Sequence, residues 1–122
     1  MRQENTKFFM ECNLAGTKYH EFFEVMNDIK VGETLELEAE PDNQHDHNAV
    51  AVFYCKKNEN ANIYYKIGYI PRTQNEKIAN ILNMGWNIFT ARIAKINLDD
   101  DNYENKVRLI IRIKRNTEEK TN

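Results

Sequence analysis

Hydrophobic and polar positions alternate along several short runs, and each such run predicts a strand. Leu35-Glu36-Leu37-Glu38-Ala39-Glu40 has a period of two, with one apolar and one acidic face. Ala49–Tyr54 is apolar on both faces, which suits a central strand. Phe8, Met10, Cys12 and Leu14 make a third apolar face, opposite Glu11 and Asn13. Tyr64–Ile70 predicts another strand, in which Gly68 marks a bulge or a close backbone approach. Ile88–Leu98 slips phase by one residue, from Phe89, Ala91 and Ile93 to Ala94, Ile96 and Leu98. A bulge produces such a slip and bends the strand, as a barrel requires. In the last strand Val107, Leu109, Ile111 and Ile113 alternate with Arg108, Ile110, Arg112 and Lys114.

Two segments carry a helical period instead. Ile78, Ala79, Ile81 and Leu82 form an apolar stripe, and Gly85 is the expected C-terminal stop. Thr73 and Glu76 read as a capping box at its start, so Thr73→Ala should cost about 1 kcal/mol. Phe22, Phe23, Val25, Met26 and Ile29 fit one face of a shorter helix, with an extended segment as the competing reading. The expected fold is mainly β with one or two helices. Six short strands, one of them bent, predict a small closed or half-closed antiparallel barrel, with the helix inserted before the penultimate strand.

Composition narrows the function classes. The chain has 122 residues, 30% charged and 41% hydrophobic, which predicts one folded domain rather than a disordered chain. Its boundaries are expected at 8–115, between polar tails at 1–7 and 116–122. The net charge is only −2, so nucleic-acid binding requires a local patch. Cys12 and Cys55 fall in apolar runs without CxxC spacing and read as buried free thiols. Met1–Lys7 is polar, and no apolar run approaches the roughly 20 residues that span a bilayer. The cytoplasm is the default location.

The chemistry-bearing stretch is the polar connection Pro41–Asn48, held between two strands, where function concentrates. His45-x-His47, with Asp42, Asp46 and His20, raises the question of a metal. Zinc sites need three or four ligands and a supporting shell, whereas Asp46 and Asn48 read better as loop-formers bonding their own backbone. No metal or cofactor is expected. Asp42 and Asp46 are a poor catalytic pair, the chain has no serine, and neither cysteine has an evident base. An enzyme is not expected. Tyr19, His20, His45 and Tyr69 offer rings, and Lys18, Lys66 and Arg72 offer charge, the two ingredients of single-strand binding. The competing reading makes Tyr19 and Tyr69 ordinary aromatics at the rim of the core. The basic strand Lys106–Arg115 is either a solvated outer face or an extension of a phosphate track. Glu33, Glu36, Glu38 and Glu40 would repel phosphates, so a DNA path should avoid them.

The motifs also carry a family pattern. Gly16 and Tyr19, then Gly32 before Leu35–Leu37, are followed by Glu40-Pro41-x-Asn43-x-x-Asp46-x-Asn48-Ala49-Val50-x-Val52 and by Ile67-Gly68-Tyr69-Ile70-Pro71-Arg72. Together they resemble a HIRAN domain of the standalone bacterial type, from about Phe8 to Arg115. The resemblance implies a modified OB-like barrel. It also implies a non-enzymatic module for DNA repair or replication-fork processing that binds single-stranded DNA and captures the 3′ hydroxyl end. Carried over by position, it implies DNA contacts from Lys18, Tyr19, His20, Asn43, His45, Asp46, Tyr69 and Arg72. Lys18 stands where an arginine is usual, exchanging a planar bidentate group for a point charge. His20 replaces the second aromatic residue and His45 the common tyrosine. Asp46 would accept a hydrogen bond from the terminal hydroxyl. The alternative is a protein-interaction module that takes a peptide by strand addition. That alternative gains if Lys18, Lys66 and Arg72 fail to converge with Tyr19 on one groove.

Overall fold

The computed structural model describes residues 5–116. Six strands form one antiparallel sheet: β1 Thr6–Asn13, β2 Thr34–Ala39, β3 Val50–Lys57, β4 Asn62–Tyr69, β5 Phe89–Ile96 and β6 Val107–Lys114. Their spatial order is β1-β6-β5-β2-β3-β4. A four-residue helix, α1 (Phe22–Val25), precedes β2, and the longer α2 (Glu76–Asn83) precedes β5, the penultimate strand. The architecture is the expected mainly-β, OB-like one. The sheet curls until its ends nearly meet but does not close into a continuous ladder. Beyond the end of β1, Ala15 exchanges two backbone hydrogen bonds with Tyr69 of β4, at 2.9 and 2.8 Å.

Of the polar tails expected at 1–7 and 116–122, residues 1–4 and 117–122 lie outside the described residues. Thr6 and Lys7 open β1, pairing with Lys114 and Ile113.

Three bulges shape the sheet. Between Ile93 and Lys95 the β5–β6 register shifts, at the place where the apolar pattern slips phase. A second shift, between Phe8 and Met10, alters the expected face of β1. Phe9 turns inward against Phe89, ring centroids 5.2 Å apart, while Phe8 is 56% exposed. Met10, Cys12 and Leu14 keep the inward face. The third shift, between Val52 and Phe53 on β3, lies beside Gly68 on β4. A Cβ at Gly68 would come within 2.5 Å of the Ala15 carbonyl, so this glycine lets the two ends of the sheet touch.

β3 is central, as its two apolar faces predict, and Val50, Ala51 and Val52 are fully buried. The inward residues of β5 and β6 (Phe89, Ala91, Ile93, Val107, Leu109 and Ile111) join Val50 and Val52 in one core with Ile67, Ile70 and Ile78. Phe22, Val25 and Ile29 seal one end of that core, but Phe23 falls off the helical face and is 46% exposed. Cys12 and Cys55 are both free, Cys12 buried and Cys55 only half-buried. Burial pushes the Cys12 thiol up to about 11; Arg108 opposes this shift and Glu11 adds to it. The Cys12 thiol is therefore protonated and unreactive at neutral pH.

The capping box at Thr73 is not formed. Pro71–Gln74 makes a turn closed by the Gln74 N–H on the Pro71 carbonyl, and the N-terminal flanking residue of α2 is Asn75. The Asn75 side chain caps nothing, because it reaches to another loop. At the other end Gly85 stops the helix at φ +89°, with the Trp86 N–H bonded back to the Ile81 carbonyl, a Schellman-type ending. Among the described residues no helix is long and apolar enough to cross a membrane.

Two substitutions test this arrangement. Gly68→Ala should destabilise the fold by about 1–3 kcal/mol, because the clash is with backbone that cannot step aside. Thr73→Ala should now change stability by less than about 0.5 kcal/mol, the range of surface positions. Denaturant midpoints of the two variants against the parent protein check both.

Candidate nucleic-acid interface

A groove of about 640 Å³ opens at the seam where β1 and β4 meet. One wall follows β1: Ala15, Gly16, Tyr19 and His20. Gly16, at φ +71°, turns the chain into a short 3-10 segment, Thr17–Tyr19. That turn leaves Tyr19 77% exposed, its ring at the margin of the groove. The opposite wall is the loop before β3, with Asn43, His45, Asp46 and Ala49. The floor and far end are Tyr69, Ile70, Arg72 and Asn75, supplied by the end of β4 and the approach to α2.

The loop wall is held by its own side chains. The Asn43 Oδ1 accepts from the His45 and Asp46 N–H groups at 2.8 and 3.1 Å, an Asx turn. The Asn43 amide donates to Glu40 Oε1 at 3.1 Å. Asp46 Oδ1 accepts from the Asn48 N–H at 2.9 Å, and Oδ2 accepts from the Asn75 amide at 2.8 Å. Arg72 donates to the His45 carbonyl at 3.1 Å and brings its Nε to 3.6 Å from Asp46 Oδ2. Burial opposes the Asp46 charge, but the Asn48 N–H, the Asn75 amide, Arg72 and His47 outweigh it and hold the carboxyl below its usual range. A carboxylate has about four acceptor positions. Asp46 therefore keeps capacity for a further donor arriving from the groove.

A second network lies behind the floor. The Tyr69 hydroxyl donates to Glu40 Oε1 at 2.7 Å, and Lys66 Nζ donates to Glu40 Oε2 at 2.7 Å and to the Tyr69 oxygen at 3.2 Å. Burial works against the Glu40 charge, yet hydrogen bonds from Lys66, Tyr69 and Asn43 hold its carboxyl low. The His20 ring packs 5.1 Å from that of Tyr69. Burial and the nearby Lys66 charge push the His20 pKa down, against Glu40 and Glu21, so at neutral pH it presents a neutral ring.

Seven of the eight residues expected at the site line one groove: Tyr19, His20, Asn43, His45, Asp46, Tyr69 and Arg72. Lys18 does not. Its ammonium lies over the rings of Tyr19, at 5.5 Å, and Tyr103, at 6.0 Å, so it borders the groove without facing into it. Lys66, expected to supply charge, is paired with Glu40 instead. Asn75 was not foreseen. It is 2% exposed and ties Asp46 to the start of α2. The available signal was an asparagine one place before a helix start, a position asparagine often takes for capping. Among the described residues no three His, Cys, Asp or Glu side chains come together as a metal site needs.

The family model described as "HIRAN domain" matches residues 7–114, nearly the whole chain. The chain belongs to the HIRAN family. This HIRAN domain is similar in structure to a protein from Lactobacillus plantarum, with a TM-score of 0.68, 21% identity, and coverage of 90% of this chain and 97% of that one. It is also similar to the HIRAN domain of human HLTF, with a TM-score of 0.56, 16% identity, and coverage of 90% and 81%. At these identities the two neighbours speak to the fold. No curated protein sequence matches the chain.

The Glu40 network gives this HIRAN domain an acid-sensitive seam. A depressed carboxyl pKa stabilises the fold above the unfolded value, about 4.3, and that contribution is lost as pH falls through the lower folded value. Glu40→Gln should therefore lower the melting temperature at neutral pH and flatten its decline below pH 4.5 or so. Melting curves of parent and variant across that range check it.

Proposed function

We propose that this HIRAN domain is a non-enzymatic nucleic-acid-binding module that takes single-stranded DNA, and the 3′ hydroxyl end in particular, into the groove beside Tyr19. The convergence of three kinds of group on one groove carries the reading. Tyr19, His20, His45 and Tyr69 supply rings, Arg72 supplies a cation, and Asp46 supplies an acceptor with spare capacity. Single strands bind through base stacking, worth about 1–3 kcal/mol per base, beside a basic track. Family membership supports the same partner.

Each residue then has a role. Tyr19 is the stacking platform. His20 and Tyr69 form a fixed neutral pair beneath it, and His45 is the ring of the opposite wall. Arg72 meets a backbone phosphate with its outer guanidinium edge; its side chain is 70% exposed. Asp46 accepts a hydrogen bond from the terminal hydroxyl. A phosphate at that end would bring a second anion against a carboxylate and repel it. Asn43 and Asn75 position Asp46 rather than touch the strand. Such a module suits DNA repair or the handling of replication forks in the cytoplasm.

One observation favours the second reading, a peptide-binding module. Of Lys18, Lys66 and Arg72, only Arg72 faces the groove. A peptide strand would add to the open part of β4. Lys66–Tyr69 is covered there by Glu21 and Ala15, whereas Ile63 and Tyr64 are 41% and 52% exposed.

Fluorescence polarisation separates the two. A short oligonucleotide with a free 3′ hydroxyl should bind more tightly than its 3′-phosphate form, and more weakly as salt rises. Tyr19→Ala should weaken the 3′-hydroxyl complex by about 1–3 kcal/mol. Equal affinity for both ends defeats end recognition. No oligonucleotide binding at low salt, with the fold intact, leaves the peptide reading.

A further inference from the structure

The chain is weakly acidic as a whole, at −2, yet its charges are sorted between strands. On β1, β6 and β5 the register places Asn13, Arg108 and Lys95 in one row across the sheet, and Glu11, Ile110 and Arg92 in the next. Phe8, Arg112 and Thr90 make a third row, and Thr6 and Lys114 a fourth. These rows face away from the core, since Leu109, Ile111, Ala91 and Ile93, their neighbours along the strands, are buried. The outer face so formed carries five cations, Arg92, Lys95, Arg108, Arg112 and Lys114. Among its described residues the one carboxylate is Glu11, leaving an excess of four positive charges. The bulge after Ile93 helps build the face, because it returns Lys95 to the side that Arg92 occupies. The acids collect beyond it, with Glu36 and Glu38 of β2 paired with Phe53 and Ala51 of β3.

The arginines are held in place by neighbours. Arg108 donates to Glu11 at 2.6 Å and to the Asn13 side-chain Oδ1 at 2.9 Å, Arg112 to the Thr6 hydroxyl at 2.8 Å, and Arg92 to the Gly32 backbone carbonyl at 2.9 Å. Each retains further N–H donors for an anion. Lys95 and Lys114 are exposed. Phe8 is the one aromatic side chain among the described outward residues of these strands, so the face lacks the successive rings on which single-strand bases stack. A basic surface without a row of rings recognises phosphates rather than bases. It also runs into the groove: β1 leaves the face at Asn13, and two residues later Ala15 begins the groove wall.

We infer that the outer face of β1, β6 and β5 is a second site, which binds the phosphate backbone of double-stranded DNA without regard to sequence. The choice of DNA as occupant rests on the nucleic-acid reading of the groove; the charge of the face does not. Together the two sites would hold a duplex by its backbone and its single-stranded end in the groove.

The test uses the full chain and two labelled probes, a blunt duplex of two helical turns and a short single strand with a free 3′ hydroxyl. The double variant K95E/K114E should bind the duplex about tenfold more weakly or worse. Its slope of log affinity against log salt should be shallower by about two, one per lysine. Binding of the short strand should stay within about twofold of the parent. K95Q/K114Q should give a smaller loss, and unchanged melting curves show that both variants fold. Undiminished duplex binding by K95E/K114E, or no duplex binding by the parent at low salt, overturns the proposal. So does binding of vesicles containing phosphatidylserine in preference to the duplex. If the short strand alone fails to bind, the groove reading falls while the duplex comparison still decides this one.

Discussion

Two backbone hydrogen bonds between Ala15 and Tyr69 bring the ends of a six-stranded sheet together, and the groove exists because they form. They need Gly68. A side chain there would meet the Ala15 carbonyl and the Leu14 side chain, and the two edges would part. With the edges joined, the Gly16–His20 turn stands against Tyr69, and the His20 ring rests on the tyrosine. The same pairing covers part of an edge that would otherwise offer free N–H and C=O groups to another chain.

Around that seam, the polar side chains fall into structural and available sets. Glu40, Lys66 and the Tyr69 hydroxyl satisfy one another behind the floor, and a half-buried network of this kind gains from having its members paired. Asn43 and Asn75 are occupied with shaping and anchoring the loop. The Tyr19 ring, the His45 ring, the outer edge of Arg72 and the spare lone pairs of Asp46 remain. Because Lys66 neutralises Glu40, an acid so close to the groove does not turn its field against an anionic strand. Segregating the remaining charges along the outer side of the sheet, cations on β1, β6 and β5 and acids on β2, lets a chain of net negative charge still offer cationic surface.

Much of the fold was legible in local pattern. Period-two alternation marked β2 and β6, double-faced hydrophobicity marked β3 as central, and the phase slip after Ile93 marked a bulge. The loop and the two walls of the groove were legible as motif, since Asn43, Asp46 and Gly68-Tyr69 carry their roles in residue type and spacing. The misreadings share one cause. Phe8 was expected inward, but a bulge with no local signature turned Phe9 in instead. Thr73 and Glu76 have capping-box spacing, but the helix starts two residues beyond the place where Thr73 could cap it. Lys18 and Lys66 are plausible phosphate ligands in one dimension, and in three they have nearer partners.

The sequence by itself determined the strands, the faces of all but the start of β1, the helix stripe and the chemistry of the loop, because each rests on neighbours within a few positions of one another. The tertiary structure alone decided which cations are free, that Asn75 serves Asp46 instead of its own helix, and that β1, β5 and β6 share one cationic face. Those outcomes are settled by competition among partners distant along the chain, 29 residues apart for Asn75 and Asp46. The shorter and better-aligned contact wins, and no local pattern records it. The groove belongs to both: its residues were written in the motifs, and its existence depends on a glycine that lets two backbones touch.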